Sequence, residues 1–318
     1  MLSNQKIPVA IIGAGNMSRE HIKVFNADKN VEVNGIYSRT YESAKSIVNE
    51  YPAIKIYPDI ESLASGTKAK LLIIAVSVLS CKEICIEAFK YRWKILIEKP
   101  VGYNLEEALA IEEIAKSSKS NVFVALNRRF YSSTIELKRL LDETSGQRYV
   151  SINDQQDQEE AMLSGHPEKV VENQMYSHSI HLIDYFSHIC RGQMVNINMI
   201  NSWKKYSSNF VSCELNFSSG DIGFYNAIWN RPGPWSVSVS SSDFYIELKP
   251  LENIRVQKKG SYRRELKQMD SCDVEFKPGL FLQAKEAIKA ASGINNSLIS
   301  LSEANNTMKI ISSIYDMP

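Results

Sequence analysis

Apolar positions in residues 1–126 fall into short runs, separated by longer stretches with helical spacing. The runs Ile7–Ile12, Val31–Tyr37, Ile54–Tyr57, Leu71–Val76, Ile95–Ile97 and Val122–Leu126 read as buried strands. Between them, helical patterns cover Ile22, Val24 and Phe25, then Tyr41–Tyr51, Asp59–Leu63, Val78–Tyr91 and Leu105–Lys116. Asn104 suits the N-cap of the last of these, and Glu106 and Glu107 complement its dipole. Strands alternating with helices predict a parallel, doubly wound sheet whose strand ends share one edge. Gly13, Ser38, Ser77, Lys99 and Asn127 each follow a strand, so this topology gathers them on that edge.

After Phe130 the alternation stops. Thr134–Glu143 reads as a helix, Gln147–Gln155 as a strand, and a polar loop runs from Asp157 to about Pro167. Val170–Ile189 has helical spacing but carries Tyr176, Ser177, His178, His181, Asp184 and His188. Strand-like runs follow at Met194–Trp203, Phe210–Phe217, Gly220–Trp229, Trp235–Ser240 and Phe244–Leu248, with polar or Gly/Pro turns between them. Such closely set strands predict an antiparallel sheet. Helices at Leu280–Ala291 and Ser302–Ile314 close the chain. The pattern therefore divides the chain into residues 1–126 and 127–318.

The first chemical signal is Gly13-Ala14-Gly15-Asn16-Met17-Ser18, set between the first strand and a helix. This is the context of a dinucleotide site. Gly13 permits the tight turn, and Gly15 lets the backbone approach a pyrophosphate at the helix N-terminus. Ser18 is small enough for close packing in place of the usual third glycine or alanine. An acid about 20 residues on usually holds the ribose of NAD. Here Ser38 and Arg39 end the second strand. A hydroxyl and a guanidinium suit a ribose 2′-phosphate, which favours NADP over NAD. Arg39 stacking on the adenine would suit either cofactor. A second signal is Ile95-Leu96-Ile97-Glu98-Lys99-Pro100, an apolar strand cut short by a proline that lacks the backbone donor. Alone, Lys99 is a surface lysine at a strand end. Its place on the cofactor edge makes it a site candidate.

In the second half, Ser177, His181, Asp184 and His188 are spaced by four, three and four residues and share one helix face, with His178 at its margin. The histidines lack the spacing and the second carboxylate of a zinc hydrolase, so no metal site is predicted. Composition narrows the class further. The 318 residues are 44% hydrophobic and 23% charged, enough apolar content for sizeable cores. A net charge of +1 gives no electrostatic case for nucleic acid or an acidic membrane. No apolar run approaches a transmembrane length. The start, Met1 to Lys6, lacks the apolar core of a signal peptide. The 5 cysteines are scattered, which reads as reduced thiols in a cytoplasmic protein.

Together these motifs resemble the glucose–fructose oxidoreductase / inositol dehydrogenase / MocA (Gfo/Idh/MocA) family of NAD(P)-dependent oxidoreductases. The matching segments are Gly13 to Ser18, the strand end Ala75-Val76-Ser77, the triplet Glu98-Lys99-Pro100, and Asn127-Arg128-Arg129-Phe130. Ser80 departs from the histidine that many members carry. The resemblance implies an α/β fold, in which an N-terminal Rossmann doubly wound parallel sheet precedes an α+β domain. That second domain has a large open, mostly antiparallel sheet for substrate binding and for a homodimer or homotetramer. It implies a cofactor site of Gly13, Gly15, Asn16, Met17, Ser38, Arg39, Val76, Ser77, Glu98, Lys99, Pro100 and Asn127. Lys99 would face the substrate, and His181 matches the catalytic histidine. Asp184 matches an acid three residues later, and Ser177 stands where the family often has an aspartate. Two compensations are open: His178, or a carboxylate on the substrate. The runs Trp229–Trp235 and Leu248–Glu252 are similar to members associated with surface-polysaccharide and nucleotide-sugar pathways. The implied activity is hydride transfer between NAD(P) and a secondary alcohol or ketone of a sugar, nucleotide-sugar or cyclitol-like substrate. The alternative is a non-enzymatic or redox-neutral dinucleotide-binding protein of the same fold.

Overall fold

The computed structural model describes residues 6–118, 120–205 and 207–317. Residues 1–5, on which the reading of the chain start rests, lie outside them. In chain order the elements begin with β1 (Ile7–Ile12), α1 (Asn16–Asn26), β2 (Val31–Tyr37), α2 (Tyr41–Glu50), β3 (Lys55–Tyr57) and α3 (Ile60–Thr67). Next come β4 (Leu71–Ile74), a 3₁₀ turn (Val78–Ser80), α4 (Cys81–Ala88), β5 (Lys94–Glu98), α5 (Leu105–Lys116) and β6 (Asn121–Ala125). A 3₁₀ turn (Asn127–Phe130) leads to α6 (Ser132–Asp142), β7 (Tyr149–Gln156), α7 (Gln158–Leu163), α8 (Glu168–Glu172), a π-turn (Met175–Ser179) and α9 (Ile180–Ile189). Strands β8 (Met194–Asn201), β9 (Phe210–Phe217), β10 (Ile222–Trp229), β11 (Ser236–Ser240), β12 (Phe244–Leu248), β13 (Ile254–Lys258) and β14 (Arg264–Lys267) follow. The chain closes with α10 (Ser271–Glu275), α11 (Leu280–Ala291), β15 (Ile299–Ser300) and α12 (Leu301–Tyr315).

The chain divides into two compact units. The first comprises residues 1–102, 106–127 and 274–304, and the second comprises 103–105, 128–273 and 305–318. The sequence boundary at 126/127 places 274–304 with the second half, yet this segment returns to the first unit. The reason is long-range pairing. Strand β15 pairs antiparallel with β6, and Lys285 on α11 forms a 2.7 Å ion pair with Asp28 after α1.

The first unit holds a 7-stranded sheet in the order β15-β6-β5-β4-β1-β2-β3. Its six sequential strands are parallel. The strand order reverses between β1 and β4, which is the topological switch point of a doubly wound fold. Strand β4 is buried along its whole length and β5 at Ile95–Ile97, as expected for strands covered on both faces.

The second unit holds an 8-stranded sheet in the order β14-β13-β12-β11-β7-β10-β9-β8. Strands β7 and β10 run parallel, and the other pairs are antiparallel. Alternation is clean along the central strands. On β7, Val150, Ile152, Asp154 and Gln156 are buried while their neighbours are half-exposed. Strands β13 and β14 extend the sheet beyond the expected runs. They are short and carry Arg255, Arg264, Glu265 and Lys267, so their apolar period is weak. The stretch expected as a polar loop after Asp157 contains α7, capped by the Asp157 side chain accepting from the Glu160 N–H at 2.9 Å.

Candidate functional site

In the first unit the register brings the motif residues to one edge. Ile12 pairs with Ile74 and Tyr37, Ile74 with Ile97, and Glu98 with Ala125. The next residues along each strand, Gly13, Ser38, Val76 and Ser77, Lys99 and Pro100, and Asn127, therefore lie along the carboxyl edge of the sheet. The Gly13 N–H donates to the Tyr37 carbonyl at 2.8 Å, tying the first turn to the second strand.

The two glycines do different work. Gly13 has φ +108, and a Cβ there would lie 2.0 Å from the Ala75 carbonyl oxygen. Only glycine allows that backbone conformation and that approach. Gly15 has φ −86 and no heavy atom within 4 Å of a Cβ position. It is exposed at the N-cap of α1, and neither a side-chain cap nor an acid occupies that first turn. Open space beside an uncapped helix start fits a pyrophosphate. Asn16 and Met17 begin this helix, and Asn16 is exposed. Ser38 accepts from the Thr40 N–H at 3.3 Å, and Arg39 is exposed beside it. Ser77 and Ser80 share a hydroxyl hydrogen bond at 3.1 Å. Asn127 is buried and donates to the Pro278 carbonyl at 3.0 Å, so its side chain anchors the returning segment.

Glu98 has a partner that sequence reasoning missed. Its Oε1 lies 2.7 Å from Nε2 of His21, a buried residue of α1. The strand end that presents Lys99 is thus tied to the helix that opens after the glycines. His21 carries no signal of its own in the sequence, because it sits on an ordinary apolar helix face. Lys99 is half-buried and joined to Pro100 by a cis peptide.

In the second unit the polar helix is not continuous. A π-turn at Met175–Ser179 separates α8 from α9. Its wider turn shifts residues before Ile180 off the α-helical stripe, and π-turns recur at functional sites. The Ser177 hydroxyl donates back to the Gln174 carbonyl at 3.2 Å. His178 Nδ1 lies 3.0 Å from Nε2 of Gln174, which also donates to the Asp157 carbonyl at 3.3 Å. His181 is half-buried, with its Nδ1 turned inside.

Asp184 holds a forked ion pair with Arg129. Nε reaches Oδ2 and Nη2 reaches Oδ1, each at 2.7 Å, and the Thr307 hydroxyl adds a bond at 2.9 Å. Burial raises the Asp184 carboxyl's affinity for its proton. The Arg129 charge and hydrogen bonds outweigh this and hold its pKa below the usual range. His188 behaves oppositely: burial, aided by Arg129, brings it down to about 4 despite Asp184. It is therefore a neutral, structural histidine at neutral pH. Trp229 is fully buried against Trp203 and Tyr315, whereas Trp235 is half-exposed. Cys81 and Cys85 are both buried, with sulfurs 3.8 Å apart. Among the described residues, no cluster of His, Cys, Asp or Glu could hold a metal, and no helix is long and apolar enough to cross a membrane.

The glycine turn, the switch point and the Glu98-Lys99-Pro100 edge meet a known pattern. Residues 7–126 match the family profile described as "Oxidoreductase family, NAD-binding Rossmann fold". Over these residues the chain is similar to the nucleotide-binding domain of the Gfo/Idh/MocA family. Among curated proteins, the chain is 29% identical over 133 residues to glucose-6-phosphate 3-dehydrogenase of Bacillus subtilis strain 168. That alignment spans 42% of this chain and 37% of the relative.

Solved structures share the fold across both units. A levoglucosan dehydrogenase in complex with NADH and L-sorbose superposes with TM-score 0.80 at 17% identity, covering 98% of this chain and 96% of that one. The UDP-N-acetylglucosamine 3-dehydrogenase of Acidithiobacillus ferrooxidans superposes with TM-score 0.79 at 14% identity, covering 97% and 96%.

Proposed function

We propose that the protein is an NAD(P)-dependent oxidoreductase acting on a secondary alcohol or ketone of a sugar, nucleotide-sugar or cyclitol-like substrate. The observation that carries this reading is the shared edge of the first unit. There the Gly13–Ser18 turn and Glu98-Lys99-Pro100 end neighbouring parts of one parallel sheet. The names of the related dehydrogenases support a sugar-like substrate.

Gly13, Gly15, Asn16, Met17, Val76, Ser77 and Asn127 would hold the dinucleotide, with Ser38 and Arg39 at its ribose. A bound nicotinamide supplies the hydride acceptor or donor. His181 takes the hydroxyl proton in the oxidation direction, a task suited to an imidazole near neutral pH. Lys99 places its ammonium at the reacting oxygen and stabilises developing negative charge. Glu98, fixed by His21, and Pro100 hold Lys99 in place. Asp184 acts through Arg129 and Thr307, fixing α9 and thereby the position of His181. Ser177 and His178 line the start of that segment. We place the protein in the cytoplasm, as a homodimer or homotetramer assembled through the open sheet of the second unit.

The test is a titration with NADPH and NADH, followed by a substrate panel on the tighter cofactor. Lys99→Ala and His181→Ala should each lower kcat by at least about 100-fold while cofactor affinity stays within about twofold. Normal turnover by both variants on a confirmed substrate would overturn the role assignment. Cofactor binding without turnover across the panel would instead favour a redox-neutral dinucleotide-binding protein.

A further inference from the structure

The hairpin of β13 and β14 forms one margin of the second unit's sheet, where β14 pairs with β13 and, among the described residues, with no other strand. Residues 254–267 carry six basic side chains, Arg255, Lys258, Lys259, Arg263, Arg264 and Lys267, and one acid, Glu265. The net charge of +1 for the whole chain conceals this, because a hairpin at +5 leaves the remainder net negative. Arg264 meets Glu247 at 3.7 Å, and Lys267 pairs with Glu136. Among the described residues no ion pair engages Arg255, Lys258, Lys259 or Arg263, and all four are exposed.

The turn that joins the two strands has a defined backbone. The Lys259 N–H donates to the Asp243 carbonyl at 2.8 Å, which ties this turn to the one between β11 and β12. The Ser261 N–H donates to the Lys258 carbonyl at 3.0 Å, and Gln257 Nε2 donates to the Ser261 carbonyl at 2.8 Å. Tyr262 is left 99% exposed at the tip, and Leu266 is exposed on the edge strand. A cleft of about 360 Å³ lies at the two turns, lined among others by Ser241, Ser242, Asp243, Lys258, Lys259 and Tyr262.

Cations on an edge strand serve in many proteins only to block further strand pairing. That need does not account for this tip. Lys258, Lys259 and Arg263 lie beyond the paired residues, and a blocked edge requires no exposed aromatic ring. A tyrosine flanked by long cationic side chains instead matches the headgroup layer of a membrane, where the ring sits at the interface and the charges reach lipid phosphates. Anionic lipid attracts each basic residue near its surface, and the attraction is screened within about 10 Å. Contact through a tip therefore leaves the net-negative remainder outside the field. A nucleic-acid duplex keeps its bases stacked inside and offers no apolar layer to Tyr262 and Leu266. We propose that the β13–β14 hairpin docks the protein reversibly on an anionic lipid surface, with Tyr262 at the headgroup level and Lys258, Lys259, Arg263 and Arg264 on lipid phosphates. The claim concerns where the protein sits and is independent of the reaction.

The experiment is vesicle sedimentation of the full-length protein. One set of vesicles is phosphatidylcholine alone, and the other is equal parts phosphatidylcholine and phosphatidylserine. The mixed vesicles should bind at least about tenfold more tightly, and raising the salt to about 1 M should remove the difference. Lys258→Gln with Lys259→Gln should lose at least about tenfold, because each basic residue is worth about fivefold at such a surface. Tyr262→Ser should weaken binding at least about threefold. Lys116→Gln with Lys309→Gln removes the same charge from other exposed positions and should bind as the unaltered chain does. All these side chains are exposed, so an unchanged melting temperature checks that each variant is folded. Equal binding to both vesicle types, or an equal loss in the Lys116 and Lys309 variant, would overturn the proposal. Hairpin-dependent binding to a single- or double-stranded DNA oligonucleotide, without binding to the mixed vesicles, would also overturn it. Turnover on the sugar panel is a separate measurement, so failure of either reading leaves the other standing.

Discussion

Two titratable groups on α9, the helix that carries His181, make distinct demands at the residue scale. Asp184 is 4% exposed and satisfied by Arg129 and Thr307. Asp184→Ala leaves the guanidinium without its partner and should cost about 3–5 kcal/mol, read as a lower urea midpoint with unchanged m-value. His188 titrates near 4 when folded and near its ordinary value when unfolded. The unfolded chain therefore binds the proton first, and stability falls as pH drops from about 6.5 to about 4. His188→Gln should flatten that fall by up to about 3 kcal/mol in urea titrations across this window. An unchanged slope would mean that other groups dominate acid unfolding. The α-helical spacing of residues 177–188 pointed to one polar face. It did not show that Asp184 turns to Arg129, because that pairing joins residues 55 positions apart.

The β1–turn–α1 unit separates folding from binding at the element scale. Gly13→Ala meets the Ala75 carbonyl and a positive φ, so it should lower both thermal stability and cofactor affinity. Gly15→Ala meets open space and an ordinary φ, so the melting temperature should hold while the dinucleotide affinity falls at least about tenfold. Differential scanning calorimetry with cofactor titration distinguishes the two, and equal loss of stability in both would refute the division. Strand and helix existence was legible here because apolar runs of three to seven residues are followed by turn residues or amphipathic spacing. The π-turn was not. A widened turn needs only one extra residue, and the side-chain pattern of Val170–Ile189 still reads as helical.

Cofactor preference becomes a linkage experiment on the whole molecule. A ligand that binds only the folded chain raises its stability, so at equal concentration the tighter cofactor gives the larger rise in melting temperature. NADPH should exceed NADH, and Arg39→Ala should remove the difference, with each tenfold in Kd worth about 1.4 kcal/mol. A larger rise with NADH in the unaltered chain would assign NAD. The sequence by itself determined the doubly wound first unit, its glycine turn and the edge on which Lys99 sits. Those follow from local periodicity and from the handedness of strand–helix–strand connections, both written in neighbouring residues. It also exposed the antiparallel character of the second unit through closely spaced strands. Only the tertiary structure decided that residues 274–304 return to the first unit, that Glu98 is held by His21, and that Arg128 rests on Trp235 while Arg129 is neutralised by Asp184. Each of these is a contact between distant positions, and no local pattern distinguishes an arginine paired with a carboxylate from the one beside it that stacks on an indole.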